Sequence, residues 1–366
     1  MQKKVAFITI HVGSNFGSVL QTIATSETLK HLGHEPLCVN YVPPRVAKRN
    51  RDREKVNLPR RVFRWIWGLY TYPKRRLESK AYGGYLRQHC ELSAPIYVDD
   101  AFNSNCTKAD VYMTGSDQVW NVKHNQGIDT HYFFEGIEGK KISFASSIGN
   151  TEISEEEKAA FKKFLSEYSS ISVREDSAVE LLESLDLKAT QLLDPVFMLD
   201  DIQWRKFASE KKQINEPYLL IYTPYNTVDK SVIYRHARRI ADKEQLKVVT
   251  FSWTYYRDKE ADITIRFASP GDFLNLMMNA EYIITNSFHG TAFSINLKKR
   301  FWVFLPSGFT TRITSVLSRF NLNDRLIEDE APADWNYKQP VDTAHIDEVL
   351  AEERARSIDY LKEAIG

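Results

Sequence analysis

A chain of 366 residues exceeds the usual size of a single hydrophobic core and predicts two domains. Lys and Arg number 49 against 48 Asp and Glu, a balance that excludes a general nucleic-acid binder; 43% hydrophobic and 27% charged residues are ordinary for a globular protein. The three cysteines, Cys38, Cys90 and Cys106, are spaced for neither a zinc site nor a disulfide framework and fit a reducing, cytoplasmic setting.

The first apolar run stops at Ile10, too short for a signal segment or a membrane span, so only peripheral membrane contact stays open. "KVAFITI" reads as a strand, "VLQTIATSETLKHLG" as a helix ended by Gly33, and "PLCVNY" as a second strand, which makes one right-handed βαβ unit. From 45 to 76 a basic stretch with Trp65, Trp67, Tyr70 and Tyr72 interrupts this rhythm as an insertion. It is either a surface excursion that packs its aromatics on the body or an acceptor or membrane contact. Strands follow in "ADVYMTGS", "KKISFASS" and "SISVRE". The helix "SEEEKAAFKKFLSEY" opens with a Ser154–Glu157 capping box.

Residues between Pro195 and Pro217 read as a hinge, after which the pattern restarts. Strands are expected in "PYLLIYT", "KVVTFSW", "EYIITNS" and "RFWVFLP". Helices are expected near Asp229–Lys243, in "SPGDFLNLMMNA" and from Gly290. The expected organisation is a Rossmann-like domain over 1–200, a second over 215–335, and an amphipathic helix over 343–366. Both domains are α/β and doubly wound, facing across a cleft.

Polar residues cluster where the expected strands end, the edge at which open α/β sheets bind ligands. In the first half these are Asn15, Asp117 with Gln118, and Arg174; in the second they are Ser287, His289, Gly290 and Arg312. Helix N-termini and arginines there suit a small, multiply charged anion. Each residue also has a structural reading. Asn15 can sit in a tight turn, Asp117 can cap a turn, Arg174 can pair with Glu175 or Asp176, and His289 can be a satisfied turn histidine. His124 and His131 have no metal spacing.

Six segments, in order, resemble the polysaccharide pyruvyl transferase family: "SNFGSVLQTIATSETLKHLGHEPLCVNYVP", "ADVYMTGSDQVWN", "KISFASSIG", "SVREDSAVELLESL", "LLDPVFMLD" and "YIITNSFHGTAFSINLKKRFWVF". The resemblance implies a GT-B-like pair of Rossmann-like domains, the first on the acceptor side and the second on the donor side. It implies transfer of a pyruvyl group from phosphoenolpyruvate onto two hydroxyls of a sugar, giving a cyclic ketal and phosphate. The acceptor would be polymeric or lipid-linked, and the chemistry needs no metal or redox cofactor.

By position in the family's motifs, His289 is the expected proton-transfer group. Arg174, Ser287, Gly290 and Arg312 are the expected donor contacts, and Asn15, Asp117 and Gln118 the acceptor contacts. Many members carry Arg-Leu immediately before the motif histidine, whereas this chain carries Ser287-Phe288. The alternatives are a GT-B-type glycosyltransferase with a nucleotide-sugar donor and a non-catalytic carbohydrate-binding relative.

Overall fold

The computed structural model describes residues 1–44, 77, 80–98, 102–149, 152–225, 228–255, 257–305, 310–327 and 335–366. The insertion expected at 45–76 lies outside them. The chain divides into two compact units, Met1–Pro195 with Ser357–Gly366, and Val196–Arg356.

The first unit carries β1 (Lys4–Ile8), β2 (Glu35–Cys38), β3 (Tyr41–Val42), β4 (Ile96–Tyr97), β5 (Val111–Thr114), β6 (Lys140–Ser143), β7 (Tyr168–Ser170), β8 (Ser172–Val173) and β9 (Thr190–Gln191). Its main sheet has the order β2-β1-β5-β6-β7, and β3-β4 and β8-β9 form two small pairs. All these pairings are parallel. A parallel sheet is covered on both faces, which is why β1 and β5 read as unbroken apolar runs and are almost entirely buried.

The helix Phe16–His31 follows β1 and is buried over most of its length despite its many polar residues. Thr22, Thr25 and Thr28 donate to the carbonyls of Ser18, Gln21 and Ala24 at 2.7–2.9 Å, so their hydroxyls are satisfied inside the helix. The strand expected in "SISVRE" is split between β7 and β8. There Ser143 and Ser172 exchange side-chain bonds: Ser143 Oγ donates to Ser172 O, Ser172 Oγ donates to Ser143 O, and Ser172 N donates to Ser143 Oγ. Hydroxyls thus take over from the backbone ladder.

The second unit carries β10 (Tyr218–Tyr222), β11 (Lys247–Ser252), β12 (Ile263–Arg266), β13 (Tyr282–Thr285), β14 (Arg300–Phe304) and β15 (Leu326–Ile327) in the order β12-β11-β10-β13-β14-β15, all parallel. Helices Lys230–Glu244 and Pro270–Asn279 start at Asp229 and Ser269, whose side chains accept backbone N–H groups of the first turn.

The stretch expected as a hinge packs as part of this unit. Asn296 Nδ2 donates to the carbonyls of Val196 and Leu199, both at 2.9 Å, and buried Trp204 lies edge-on to Phe293 at 5.1 Å. The terminal helix spans Thr343–Ile365, and its last residues belong to the first unit. There Tyr360 Oη donates to Ser143 O at 2.8 Å and Lys3 Nζ to Ile365 O at 2.7 Å. Among the described residues no helix is long and apolar enough to cross a membrane.

Candidate functional site

Each sheet reverses its strand order once. In the first unit the chain leaves β1 for β2 on one side and later returns to β5 on the other. In the second it leaves β10 for β11 and returns to β13. At such a switch point the loops diverge at the carboxyl ends of the strands and open a crevice. The sequence candidates gather at these two places.

In the first unit, Asn15 caps the helix after β1, and its Oδ1 accepts from Gly17 N at 2.9 Å and Ser18 N at 3.3 Å. Ser18 Oγ, one helical turn on, donates to Asp117 Oδ2 at 2.6 Å and so bridges the loops after β1 and β5. Asp117 is buried and holds a left-handed backbone with φ of 70°. Its carbonyl accepts from Val119 N and Ser147 N, and its Oδ1 from Gln118 N at 2.8 Å. A non-glycine residue costs on the order of 1 kcal/mol in that conformation, which these bonds offset. Gln118 Oε1 accepts from Asn121 Nδ2 at 2.8 Å.

Arg174 belongs to the same edge and is buried. One guanidinium nitrogen donates to Asp194 Oδ2 at 2.6 Å, and Nε lies 3.5 Å from Glu175 Oε1. Ser116 Oγ donates to the same Asp194 oxygen at 2.8 Å, and Ser147 Oγ donates to Glu175 Oε1. Burial alone would lower the guanidinium's pKa, but the carboxylates of Asp194, Glu175 and Asp117 reverse that and raise it, so it stays charged. The surroundings of Arg174 are therefore acidic. Asp194 was missed in the sequence because it lies twenty positions away. The one local signal was a carboxylate directly after the buried pair Leu192-Leu193. Glu175 Oε2 is buried with no hydrogen-bond partner among the described residues.

In the second unit the turn after β13 is built on Thr285. Its Oγ1 donates to Tyr222 O at 2.6 Å and accepts from Ser287 N at 3.1 Å, tying the ends of β10 and β13 together. Asn286 Nδ2 donates to Tyr225 O at 2.7 Å, while its buried Oδ1 has no partner among the described residues. The helix begins at Phe288, two residues before the expected start, with Ser287 as its N-cap and no side-chain cap bond.

His289 therefore lies in the first helical turn, 5% exposed, with its ring edge-on to Phe288 at 5.2 Å. Gly290 faces the strands so closely that a Cβ would stand 2.2 Å from Thr285 Oγ1 and 3.0 Å from Tyr222 Cδ1. Only glycine lets the helix begin at this depth, and that depth brings His289 and the first-turn N–H groups to the switch point. Arg312 is the buried second residue of the helix Thr311–Arg319, which packs against the helix Phe288–Asn296.

The structure thus brings Ser287, His289 and Gly290 together in one unit, with Arg312 on the adjoining helix. It brings Asn15, Asp117, Gln118 and Arg174 together in the other. Among the described residues no group of three or more His, Cys, Asp or Glu is arranged to hold a metal ion.

Compared with known proteins, the chain matches a family model described as polysaccharide pyruvyl transferase over residues 15–308. No curated protein matches it significantly. Among solved structures, UDP-GlcNAc 2-epimerase from Methanocaldococcus jannaschii is 11% identical with a TM-score of 0.52, covering 95% of this chain and 92% of that one. The UDP-GlcNAc 2-epimerase from Neisseria meningitidis bound to UDP-GlcNAc is 12% identical with a TM-score of 0.52, covering 99% and 94%. An alpha-glucosyltransferase in complex with UDP and DNA is 9% identical with a TM-score of 0.50, covering 99% and 95%. At such identities the likeness is one of fold, the GT-B-like fold of two Rossmann-like domains.

Proposed function

The chain belongs to the polysaccharide pyruvyl transferase family, and on that premise we propose that it moves a pyruvyl group from phosphoenolpyruvate onto two hydroxyls of a sugar. The product is a cyclic ketal and phosphate is released. The observation that carries this reading is the Thr285–Gly290 turn, where a histidine and a helix N-terminus are held together at a switch point.

Phosphoenolpyruvate asks for two kinds of group. Its phosphate and carboxylate need N–H donors and a guanidinium, supplied here by the first turn at Ser287–Gly290 and by Arg312. Its methylene carbon must gain a proton as a sugar hydroxyl attacks the neighbouring carbon. The C–O bond to phosphate then breaks, and the second hydroxyl closes the ketal as its proton leaves. His289 gives the first proton and takes up a hydroxyl proton, work suited to an imidazole near neutral pH. Asn15, Asp117 and Gln118 are assigned to the acceptor. The carboxylates around Arg174 favour a different role for it from the donor contact implied by the family motif. We assign it to holding Asp194 and Glu175 in place.

The test incubates the protein with phosphoenolpyruvate or a nucleotide sugar and a panel of sugar acceptors, polymeric and lipid-linked ones included. Phosphate release matched by a mass gain on the acceptor from the pyruvyl ketal is expected. Nucleotide release with no pyruvylated product would replace this reading by a glycosyltransferase.

A further inference from the structure

The proposed transfer leaves one proton without a destination. Closing the ketal takes a proton from each of two hydroxyls, and His289, having given one to the methylene carbon, takes back only one. The first unit, to which the acceptor is assigned, holds a second ordered histidine, His131. It follows Asp129, the N-cap of the short helix Thr130–Phe133 in the loop after β5. The same loop carries Asp117 and Gln118. The carbonyl of Tyr132 accepts from Thr114 Oγ1 at 2.9 Å and from Trp120 Nε1 at 3.2 Å, which fixes this turn at the carboxyl end of β5.

Three side chains set the imidazole. Its Nδ1 lies 2.9 Å from Asp129 Oδ1, and Tyr41 Oη donates to Asp129 Oδ2 at 2.7 Å. The ring stacks on Tyr41 with centroids 4.5 Å apart, and Phe102 stands edge-on to it at 4.8 Å. Tyr41 opens β3, which follows β2, so segments from beyond two strands hold one ring. A carboxylate only accepts, so Nδ1 carries the hydrogen of that bond and the neutral ring keeps its lone pair at Nε2. Nε2 makes no hydrogen bond among the described residues, and the side chain is 13% exposed. An imidazole oriented by a carboxylate at one nitrogen and open at the other is arranged as a general base.

On the premise of that transfer, we propose that His131 Nε2 takes the proton of the acceptor's second hydroxyl. Once phosphate has left, the hydroxyl oxygen bonds to the ketal carbon, and its O–H bond breaks with the electron pair staying on oxygen. The proton passes to Nε2 and from there to water. His289 meanwhile completes its own exchange between the first hydroxyl and the methylene carbon. Asp129 positions the ring and offsets the charge it gains, and Tyr41 positions Asp129.

The test measures ketal formation by the full chain with phosphoenolpyruvate and the panel of acceptors, with circular dichroism to confirm that each variant is folded. His131→Ala is expected to lower kcat by on the order of 100-fold or more, with the acceptor KM little changed. Free imidazole, entering the slot left between Tyr41 and Phe102, is expected to restore part of the rate. His131→Gln keeps a hydrogen bond to Asp129 but cannot take up a proton. It should show the same loss, and it carries the test if the alanine variant unfolds. An unchanged kcat, a loss confined to KM, or a loss in the folded alanine variant that imidazole leaves untouched would each overturn the proposal. An unaltered chain that pyruvylates no acceptor defeats the transfer reading and this assignment with it. An active chain indifferent to His131 defeats this assignment alone.

Discussion

The β-carbon that Gly290 lacks would stand 2.2 Å from Thr285 Oγ1, closer than any real Cβ contact. Thr285 holds the ends of β10 and β13 together, so it has little freedom to retreat. Gly290→Ala is expected to destabilise the second unit by about 1–3 kcal/mol, the usual cost of overpacking a core. Thr285→Ala added to it should recover part of the loss, because the nearest clash disappears. Urea unfolding of both variants measures the difference.

On the proposed mechanism, His289→Ala lowers turnover by on the order of 100-fold or more. Because His289 ends no strand and its ring packs on Phe288, the unfolding midpoint should change far less than for Gly290→Ala. Steady-state rates beside a denaturation curve decide it. An unchanged rate in a folded variant takes His289 out of the reaction.

Arg174 and Asp194 form a buried ion pair, and removing one partner strands the other's charge. Arg174→Ala and Asp194→Ala are each expected to cost about 3–5 kcal/mol. The double variant should lose less than the sum of the two, since it strands neither. Arg174→Ala at full stability, with only the donor affinity reduced, would return the guanidinium to the donor.

His11 sits after β1 with Nδ1 3.0 Å from Thr9 O and Nε2 3.1 Å from the Asn40 side chain. Burial lowers its pKa below 6.5, against smaller raising effects of Thr9 and Asn40. Both partners are oxygens, Thr9 O and Asn40 Oδ1, so the neutral ring, with one N–H, donates to one of them only. Above pH 6.5 the ring is neutral in both folded and unfolded chains and adds nothing to the pH dependence. Below it the unfolded chain takes up a proton that the folded chain refuses, so stability falls as pH falls. The slope approaches about 1.4 kcal/mol per unit until the lowered folded pKa is reached. Denaturation midpoints from pH 7 down to 5 should show this fall, and His11→Gln should flatten it.

Much of the architecture was legible because parallel strands buried on both faces leave apolar runs such as "KVAFI" and "YIIT", and polar residues after them mark the sheet edge. The family motifs led to His289 and its glycine. What stayed hidden was long-range or formed by side chains. Asp194 carries no local sign that it receives both Ser116 and Arg174. The break between β7 and β8 depends on Ser143 and Ser172 meeting across the sheet. Pro195–Pro217 reads as a hinge because the side chain that holds Val196 and Leu199, Asn296, comes about a hundred positions later.

That the end of the terminal helix returns to the first unit bears on how the chain is made. Lys3, just before β1, and Lys140, the first residue of β6, both donate to the carbonyl of Ile365. A ribosome finishes most of the first unit long before residues 357–366 emerge. The second unit must therefore be synthesised in full while the first still lacks its last piece. The order of translation and the order of completion run opposite ways, and during that interval the surface under Tyr360 waits uncovered.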